Sequence, residues 1–565
     1  MQLSWQFFDT ASHDVVLQLA RELNVPPIIA RVMLNRGIAT HAAALVFFRT
    51  NLERVHDPFL MADMEKAVAR LAQALDRDEK ILIYGDYDVD GTTATALLRL
   101  ALRELGFEVP YYIPDRFKEG YGISRVGIDW ARAQGINLVV AVDCGVTAHQ
   151  EIAYAREHGI DVIVCDHHQP GPELPPATAL LDPKRSDCPY PFKELAGVGV
   201  TFKLLQGLYQ HLQRDPRDLF RYLDLVAIGS AADIVPLVDE NRVLVKAGLE
   251  KLNQTENVGL QALIQVCGLQ NCPISTSNVV FILGPRINAV GRMGDAGRAV
   301  KLLTAQEMAQ AMDIARVLEV ENRERRSVDE ETYREAVAMI EAQSDHEKRP
   351  AFVLYKEDWH TGVIGIVASR IVEKYYRPTV LIAVQNGIGK GSARSINGFD
   401  LYQALTACAS CLAGYGGHKY AAGLSIQMDN IDAFRAQFEE VATSRLTLEM
   451  LTPRLMIDGE IRLQEIDGRF MKFLDALAPY GPQNMRPVFV ARELRVVGTP
   501  QIVGNNHLRF FVTQNDKKLD CIGFNLGDLM PRLRNGRADL EMAFLVEENT
   551  WQGRTTIQLR VKDIR

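Results

Sequence analysis

The sequence predicts an α/β protein: a parallel-sheet domain and a second αβ unit joined by a long helix, with a small β-barrel at the carboxyl end. Three observations predict it. Between 79 and 240, short apolar runs alternate with helix-like segments and glycines, as βα repeats around a parallel sheet do. Residues 305–343 form one strongly charged helical run, and 348–440 repeat the strand, helix, strand order. From about 452 onward, short β-like runs are separated by Gly, Asn and Asp turns, which suits a barrel of five or six strands.

A chain of 565 residues has room for about three or four domains, each with its own core. The boundaries read as a helical extension (1–75), the parallel-sheet domain (76–303), the connecting helix (304–346), the second α/β domain (347–450) and the barrel (451–565). No apolar run is long enough to span a bilayer, and MQLSWQFFDT has neither a basic start nor an apolar stretch, so a cytoplasmic protein is expected. The eight cysteines read as scattered, without thiolate zinc or iron–sulfur sites, which argues for a reducing compartment. A net charge of -8 is not that of a simple nucleic-acid wrapper. It fits a carboxylate-rich metal centre with local basic surfaces.

In the extension, LARELNVPPIIARVMLNRGI has helical spacing broken at Pro26–Pro27, and 57–75 reads as an amphipathic helix. This region is expected to cap the next domain. The stretch that carries the chemistry is ILIYGDYDVDGTTATALLRL, 81–100: a buried strand, an acidic end, a glycine and a helix. An extended backbone would point Asp86, Asp88 and Asp90 to one side, and a hard divalent cation is the usual reason to gather like charges. Gly91 would permit the sharp exit, and free N–H groups at Thr92 and Thr93 would face phosphate. A solvated acidic turn explains one such motif, but two further apolar strands end the same way. INLVVAVDCGVT ends in Asp143, and IDVIVCDHHQP ends in Asp166, His167 and His168. Ligands of parallel sheets collect at the carboxyl ends of strands. Cys144 and Cys165, beside this edge, read as core fillers.

Strands are expected at 81–85, 107–112, 137–142, 161–165 and 178–181. In the loop 111–124, Arg116 and Lys118 would reach a phosphate at the same edge, and after a small-residue helix Asp233 would add a fourth carboxylate. Arg286, Arg292 and Arg298 sit among glycines and small residues that suit a polyanion. The helix 305–343 is interrupted by ENRERRS, so its middle is expected to be solvated. In the second unit, Ser392, Arg394 and Ser395 leave a Gly-rich strand end, and Gly416, Gly417 and His418 follow one short helix later, together a phosphate clamp. From 451 on, 17 Lys plus Arg stand against 14 Asp plus Glu. This mildly basic barrel offers Phe510, Phe511, Phe524 and Trp551 as base-stacking candidates, although strand alternation puts most such aromatics in the core.

YGDYDVDG at 84–91, VDCG at 142–145, DHH at 166–168 and ADIVPL at 232–237 together resemble the DHH phosphoesterase superfamily. WHTGVIGIVASR at 359–370, GSARS at 391–395 and GGH at 416–418 resemble its associated second domain. PRINAVGR at 285–292 and APYGPQNMRPVF at 478–489 narrow the resemblance to its single-strand-specific 5′→3′ DNA exonucleases, over nearly the whole length. The resemblance implies a terminal OB fold, and two Mn²⁺ or Mg²⁺ ions held by Asp88, Asp90, Asp143, His167 and Asp233. Asp86 stands in or next to the ligand shell, Asp143 bridges, His168 meets the scissile phosphate and Asp166 orients its neighbours. Arg116, Arg286, Ser392, Arg394, Ser395, Gly416, Gly417 and His418 would bind DNA phosphates or the 5′ terminus. Phosphatase relatives carry His where this chain has Tyr84, and Asp86 is the candidate replacement. The implied activity is release of 5′ mononucleotides from single-stranded DNA in repair and recombination, by a monomer whose partners include a single-strand-binding protein and a helicase. A phosphodiesterase for small oligonucleotides or cyclic dinucleotides would leave the barrel surplus. An inactive DNA-binding scaffold would gain nothing from clustered carboxylates.

Overall fold

A computed structural model describes residues 3–9, 11–49, 51–534, 539–551 and 554–565. The chain divides into two compact units. The larger comprises Trp5–Gly284, Gly297–Met312 and Met456–Arg565; the smaller is built chiefly from Pro285–Ala296 and Asp313–Leu455.

After the short strand β1 (Ser4–Phe7), the larger unit forms a parallel sheet of β2 (Ile81–Tyr84), β3 (Tyr111–Tyr112), β4 (Leu138–Val142), β5 (Asp161–Cys165) and β6 (Ala179–Leu181). Its order is β3-β2-β4-β5-β6, with every pairing parallel. Every residue of β2 and β4 is buried, as β-branched and leucine runs covered on both faces require. The order reverses between β2 and β4, so a crevice opens at their carboxyl ends.

The smaller unit holds a mixed sheet of β7 (Phe352–Lys356), β8 (Thr379–Gln385), β9 (Ile388–Arg394), β10 (Gly414–Gly417) and β11 (Ala421–Gln427), in the order β10-β11-β9-β8-β7. A single helix, Met308–Glu341, precedes it. Its Ala336 and Ile340 pack with Phe352, Trp359 and Ile364. The ENRERRS segment is not solvated through its middle: Asn322 and Arg325 are buried, and Arg325 Nη2 donates to Asn322 Oδ1 at 3.0 Å. One turn of helix sets the two polar groups against each other, which lessens the cost of burying both.

Following β12 (Arg454–Ile457), the barrel consists of β13 (Gly459–Glu460), β14 (Phe489–Val503), β15 (His507–Gln514), β16 (Lys517–Gly523), β17 (Leu540–Trp551) and β18 (Arg554–Ile564). It runs β13-β14-β15-β16-β18-β17 and closes through β14–β17, leaving no long open edge there. The helices His13–Leu23 and Pro27–Asn35 do not cap the next domain in sequence. Their Val16, Leu19, Ile29 and Met33 share one core with Phe470, Phe489, Phe510 and Phe544 of the barrel region.

Other expectations need adjustment. The strand expected at 107–112 shrinks to two residues, and the helix expected over 57–75 begins only at Met64. Phe510 is core, whereas Phe511 and Phe524 are exposed; the side chain of Trp551 lies outside the described residues. Cys144 and Cys165 are buried, as expected of fillers. Cys408 and Cys411 do stand in C-x-x-C spacing, which the reading of scattered cysteines passes over; both are free thiols. No described helix is long and apolar enough to cross a membrane.

Candidate metal centre

The carboxyl edge of the parallel sheet gathers most of the acidic candidates, though not on an extended strand. β2 ends at Tyr84, and a helix begins at Val89. Asp88 is its N-cap, accepting from Gly91 N at 3.0 Å, and Asp90 already lies in the first turn. The N–H of Thr92 is taken by Asp88 O at 2.9 Å and Thr92 and Thr93 are buried, so these groups do not face an anion. Gly91 is needed for close approach: a Cβ there would lie 2.7 Å from Asp86 backbone and side-chain atoms.

Three overlapping donor sets result: Asp86, Asp88 and Asp143; Asp143, His167 and His168; and Asp90, His167 and Asp233. Within each set the donor atoms lie within 4.8 Å of one another. His167 Nε2 lies 3.2 Å from Asp143 Oδ1, 3.6 Å from Asp233 Oδ2 and 3.7 Å from Asp90 Oδ2. The N-terminus of the helix Gly197–His211 fixes Asp90, whose two oxygens accept from Gly197 N at 2.6 Å and Val198 N at 2.8 Å. A side chain at Gly197 would stand 2.5 Å from Asp143 Oδ1.

Burial drives the electrostatics. It pushes Asp86 and Asp143 well above the carboxylate range, Asp90 to about 7 and Asp233 to about 8, with neighbouring carboxylates adding to each. Burial and then the charge of His168 hold His167 down to about 3, a neutral imidazole able to act as a ligand. Asp166 differs from the others. Although burial opposes ionisation, its bond to His168 holds it at about 2. It accepts from Val146 N, His167 N and His168 N, and lies 2.7 Å from His168 Nδ1. Asp166 in turn outweighs burial at His168 and raises it to about 9.

The Arg116 guanidinium lies over the Tyr87 ring at 5.0 Å, and its charge acts on Asp86. Tyr84 is not at this edge chemically: it is buried among apolar residues and its hydroxyl accepts from Ser124 N. Arg286, in the smaller unit, is buried, with Nε donating to Glu319 Oε2 at 2.6 Å. In the second sheet, Ser392 and Gly416 both register against Gly423, so the two motifs lie on either side of β11. Arg394 Nη1 donates to Ser392 Oγ at 3.2 Å, while the Ser395 hydroxyl is turned to Phe399 O at 2.8 Å. Gly416, Gly417 and His418 are exposed.

Two residues were missed by sequence reasoning. Asp182 directly follows β6, is fully buried and is pushed up to about 7 by that burial, with Oδ2 unpartnered. The strand-end signal that found Asp143 applies to it equally. Tyr121, whose hydroxyl meets Asp143 O at 3.3 Å and His168 Nδ1 at 3.1 Å, sits in a loop with no such signal.

Residues 80–230 match the DHH family, N-terminal domain; 348–444 match the DHHA1 domain; and 457–563 match the RecJ OB domain. The chain is 38% identical to the single-stranded-DNA-specific exonuclease RecJ of Bacillus subtilis, covering all of this chain and 71% of that one. It is 34% identical to that of Escherichia coli over 98% of this chain and 97% of the relative. The chain belongs to the RecJ family. Its fold is accordingly a pair of DHH and DHHA1 α/β domains joined by helices, with a carboxyl-terminal OB-fold barrel. A RecJ crystal structure from Thermus thermophilus in complex with Mn²⁺ superposes with a TM-score of 0.86 at 30% identity, covering 100% of this chain and 79% of that one.

The RecJ edge in this chain has the donors such a cation needs. Asp86 Oδ1, Asp143 Oδ1 and His167 Nε2 are buried without a hydrogen-bond partner, a costly state unless something positive completes it. Carboxylate oxygens with one imidazole are suited to Mn²⁺ or Mg²⁺.

Proposed function

We propose that this chain hydrolyses phosphodiester bonds of single-stranded DNA from the 5′ end, releasing 5′ mononucleotides during repair and recombination. The observation that carries the reading is the buried, unsatisfied cluster of Asp86, Asp143 and His167 at the sheet's switch point, in a chain of the RecJ family. Asp86, Asp88, Asp90, Asp143, His167 and Asp233 would hold two Mn²⁺ or Mg²⁺ ions, which supply activation of water and neutralisation of charge on the reacting phosphate.

The remaining chemistry belongs to the chain. Gly197 and Val198 aim both oxygens of Asp90, so that ligand needs no reorganisation. Asp166 keeps His168 protonated and turned by its Nδ1 bond, a fixed positive charge for a phosphate oxygen. Arg116, held on Tyr87, supplies a second cation. Ser392, Arg394, Ser395, Gly416, Gly417 and His418, with Arg286, take phosphates of the strand or its 5′ end; the exposed glycines and the Arg394–Ser392 pairing support this. The barrel (451–565) holds the strand as well, and the boundaries 76–303 for the DHH domain, 304–346 for the connecting helix and 347–450 for the second domain belong to the same reading. So does a cytoplasmic setting. Action as a monomer, with a single-strand-binding protein and a helicase as partners, belongs to the same reading.

Labelling one strand at each end in separate reactions with Mn²⁺ tests it. Mononucleotides should leave the 5′ end first. Initial loss from the 3′ end, or no metal-dependent cleavage, would defeat the proposal.

A further inference from the structure

Ile234 directly follows Asp233, and its backbone is left-handed at φ 62°. A β-branched residue avoids that conformation because its Cβ crowds the neighbouring carbonyl, so the strain asks for a functional return. Its effect here is to leave an isoleucine 60% exposed beside a candidate metal ligand. Phe281 is 70% exposed and Met485 65% exposed, and all three line one cavity of about 390 Å³. Arg486, Arg560 and Lys562 line the same cavity, against one lining carboxylate, Glu547, which lies 3.8 Å from Arg486 and 3.6 Å from Arg560.

We infer that this cavity is a nucleobase subsite for the strand whose phosphodiester lies at the metal centre. The inference rests on the proposed exonuclease activity and adds the part of the substrate that the metal centre does not touch. Apolar side chains flanked by excess cations suit a flat ring joined to phosphates. Continuity argues for the occupant. Ile234 follows Asp233 directly, with Cα atoms about 3.8 Å apart, so a strand held at Asp233 passes within a nucleotide's reach of the cavity. Ile234, Phe281 and Met485 contact base faces without hydrogen-bond readout, so the subsite tolerates any base but not its absence.

The test measures kcat/KM in Mn²⁺ on a twelve-nucleotide oligothymidylate and on strands carrying one abasic nucleotide at successive positions from the 5′ end. Wild type should lose about tenfold at one position, the scale of one stacked base. Phe281→Ala should lose about tenfold on the intact strand and lose nothing further when the abasic nucleotide occupies that position. Phe281→Tyr should restore the intact-strand rate and the abasic penalty. Phe281 is exposed and tolerates truncation, so it carries the test if Ile234→Ala, expected to behave alike, fails to fold. A flat abasic scan in wild type, or a penalty that persists in Phe281→Ala, would overturn the subsite while leaving the exonuclease reading intact. An intact strand left uncleaved by wild type would overturn both.

Discussion

The carboxyl edge of the β2–β6 sheet and the β9–β10 region of the second sheet both present polar side chains beside glycines, but they handle charge in opposite ways. At the first, Asp86, Asp90 and Asp143 are each 1% exposed, and acceptors on Asp86 and Asp143 have no partner. At the second, Gly416, Gly417 and His418 stand in water, and Arg394 is already bonded to Ser392. The buried edge crowds carboxyls that hold protons until a cation displaces them. The open region is satisfied before any ligand arrives, so its contribution is electrostatic, screened by salt and small per contact.

The sharpest way to break this contrast is to remove the carboxylate common to two donor sets. Asp143→Ala should abolish Mn²⁺-dependent cleavage while circular dichroism stays unchanged; turnover near the wild-type rate would defeat a shared-ligand role. Next in size is the response to metal. In the metal-free protein at alkaline pH, where the raised Asp143 carboxyl ionises, Asp143→Asn removes charge without leaving a cavity, and should raise the melting midpoint on the order of 2 °C. Wild type at a hundred times the dissociation constant of Mn²⁺ should gain about 2.7 kcal/mol for each ion bound, read from the same melts. An Asp143→Asn protein that melts lower than wild type without metal at that pH would show that the ionised edge carries no repulsion.

At the open region the effects are smaller. Arg394→Ala should weaken strand binding and reduce the slope of log affinity against log salt by about 0.7, the value for one phosphate contact on a single strand. An unchanged slope would assign Arg394 to structure. The smallest effect concerns pH. His168 is raised to about 9, so its contribution is complete below its unfolded value of about 6.5 and is lost as pH rises through 9. Asp166 is held at about 2, so its contribution is complete above its unfolded value of about 3.9 and is lost as pH falls through 2. His168→Gln should therefore flatten the alkaline fall of the melting midpoint in EDTA between pH 6.5 and 9.5. An equally steep fall in the variant would show that the Asp166 pairing does not set it.

The contrast also explains what could be read in advance. Strand-end acids such as Asp143 and Asp166 were legible because apolar runs announce buried strands and the chain must exit them at one edge. Asp88 and Asp90 were legible as candidates but not in their geometry, since a helix cap replaces the extended strand that alternation suggested. Arg286 was legible as a candidate cation but not in its pairing: Glu319 lies 33 positions away, and only packing brings the two together. The extension's first helices joined the barrel core, while Met64–Asp76 caps the sheet domain through Met64 and Val68 at Gly207; amphipathic helices seek any apolar face, and sequence adjacency does not choose which. Ile234 sat inside a recognised motif, yet its strain is a backbone property that residue types do not announce.

The central claim is that the buried edge is built for two divalent cations. Titrating the metal-free full-length chain with Mn²⁺ and counting free ion by electron paramagnetic resonance tests it directly. Two saturable sites per chain are expected, with both weakened in Asp143→Ala. One site, no saturable binding, or two sites unchanged in Asp143→Ala would contradict it.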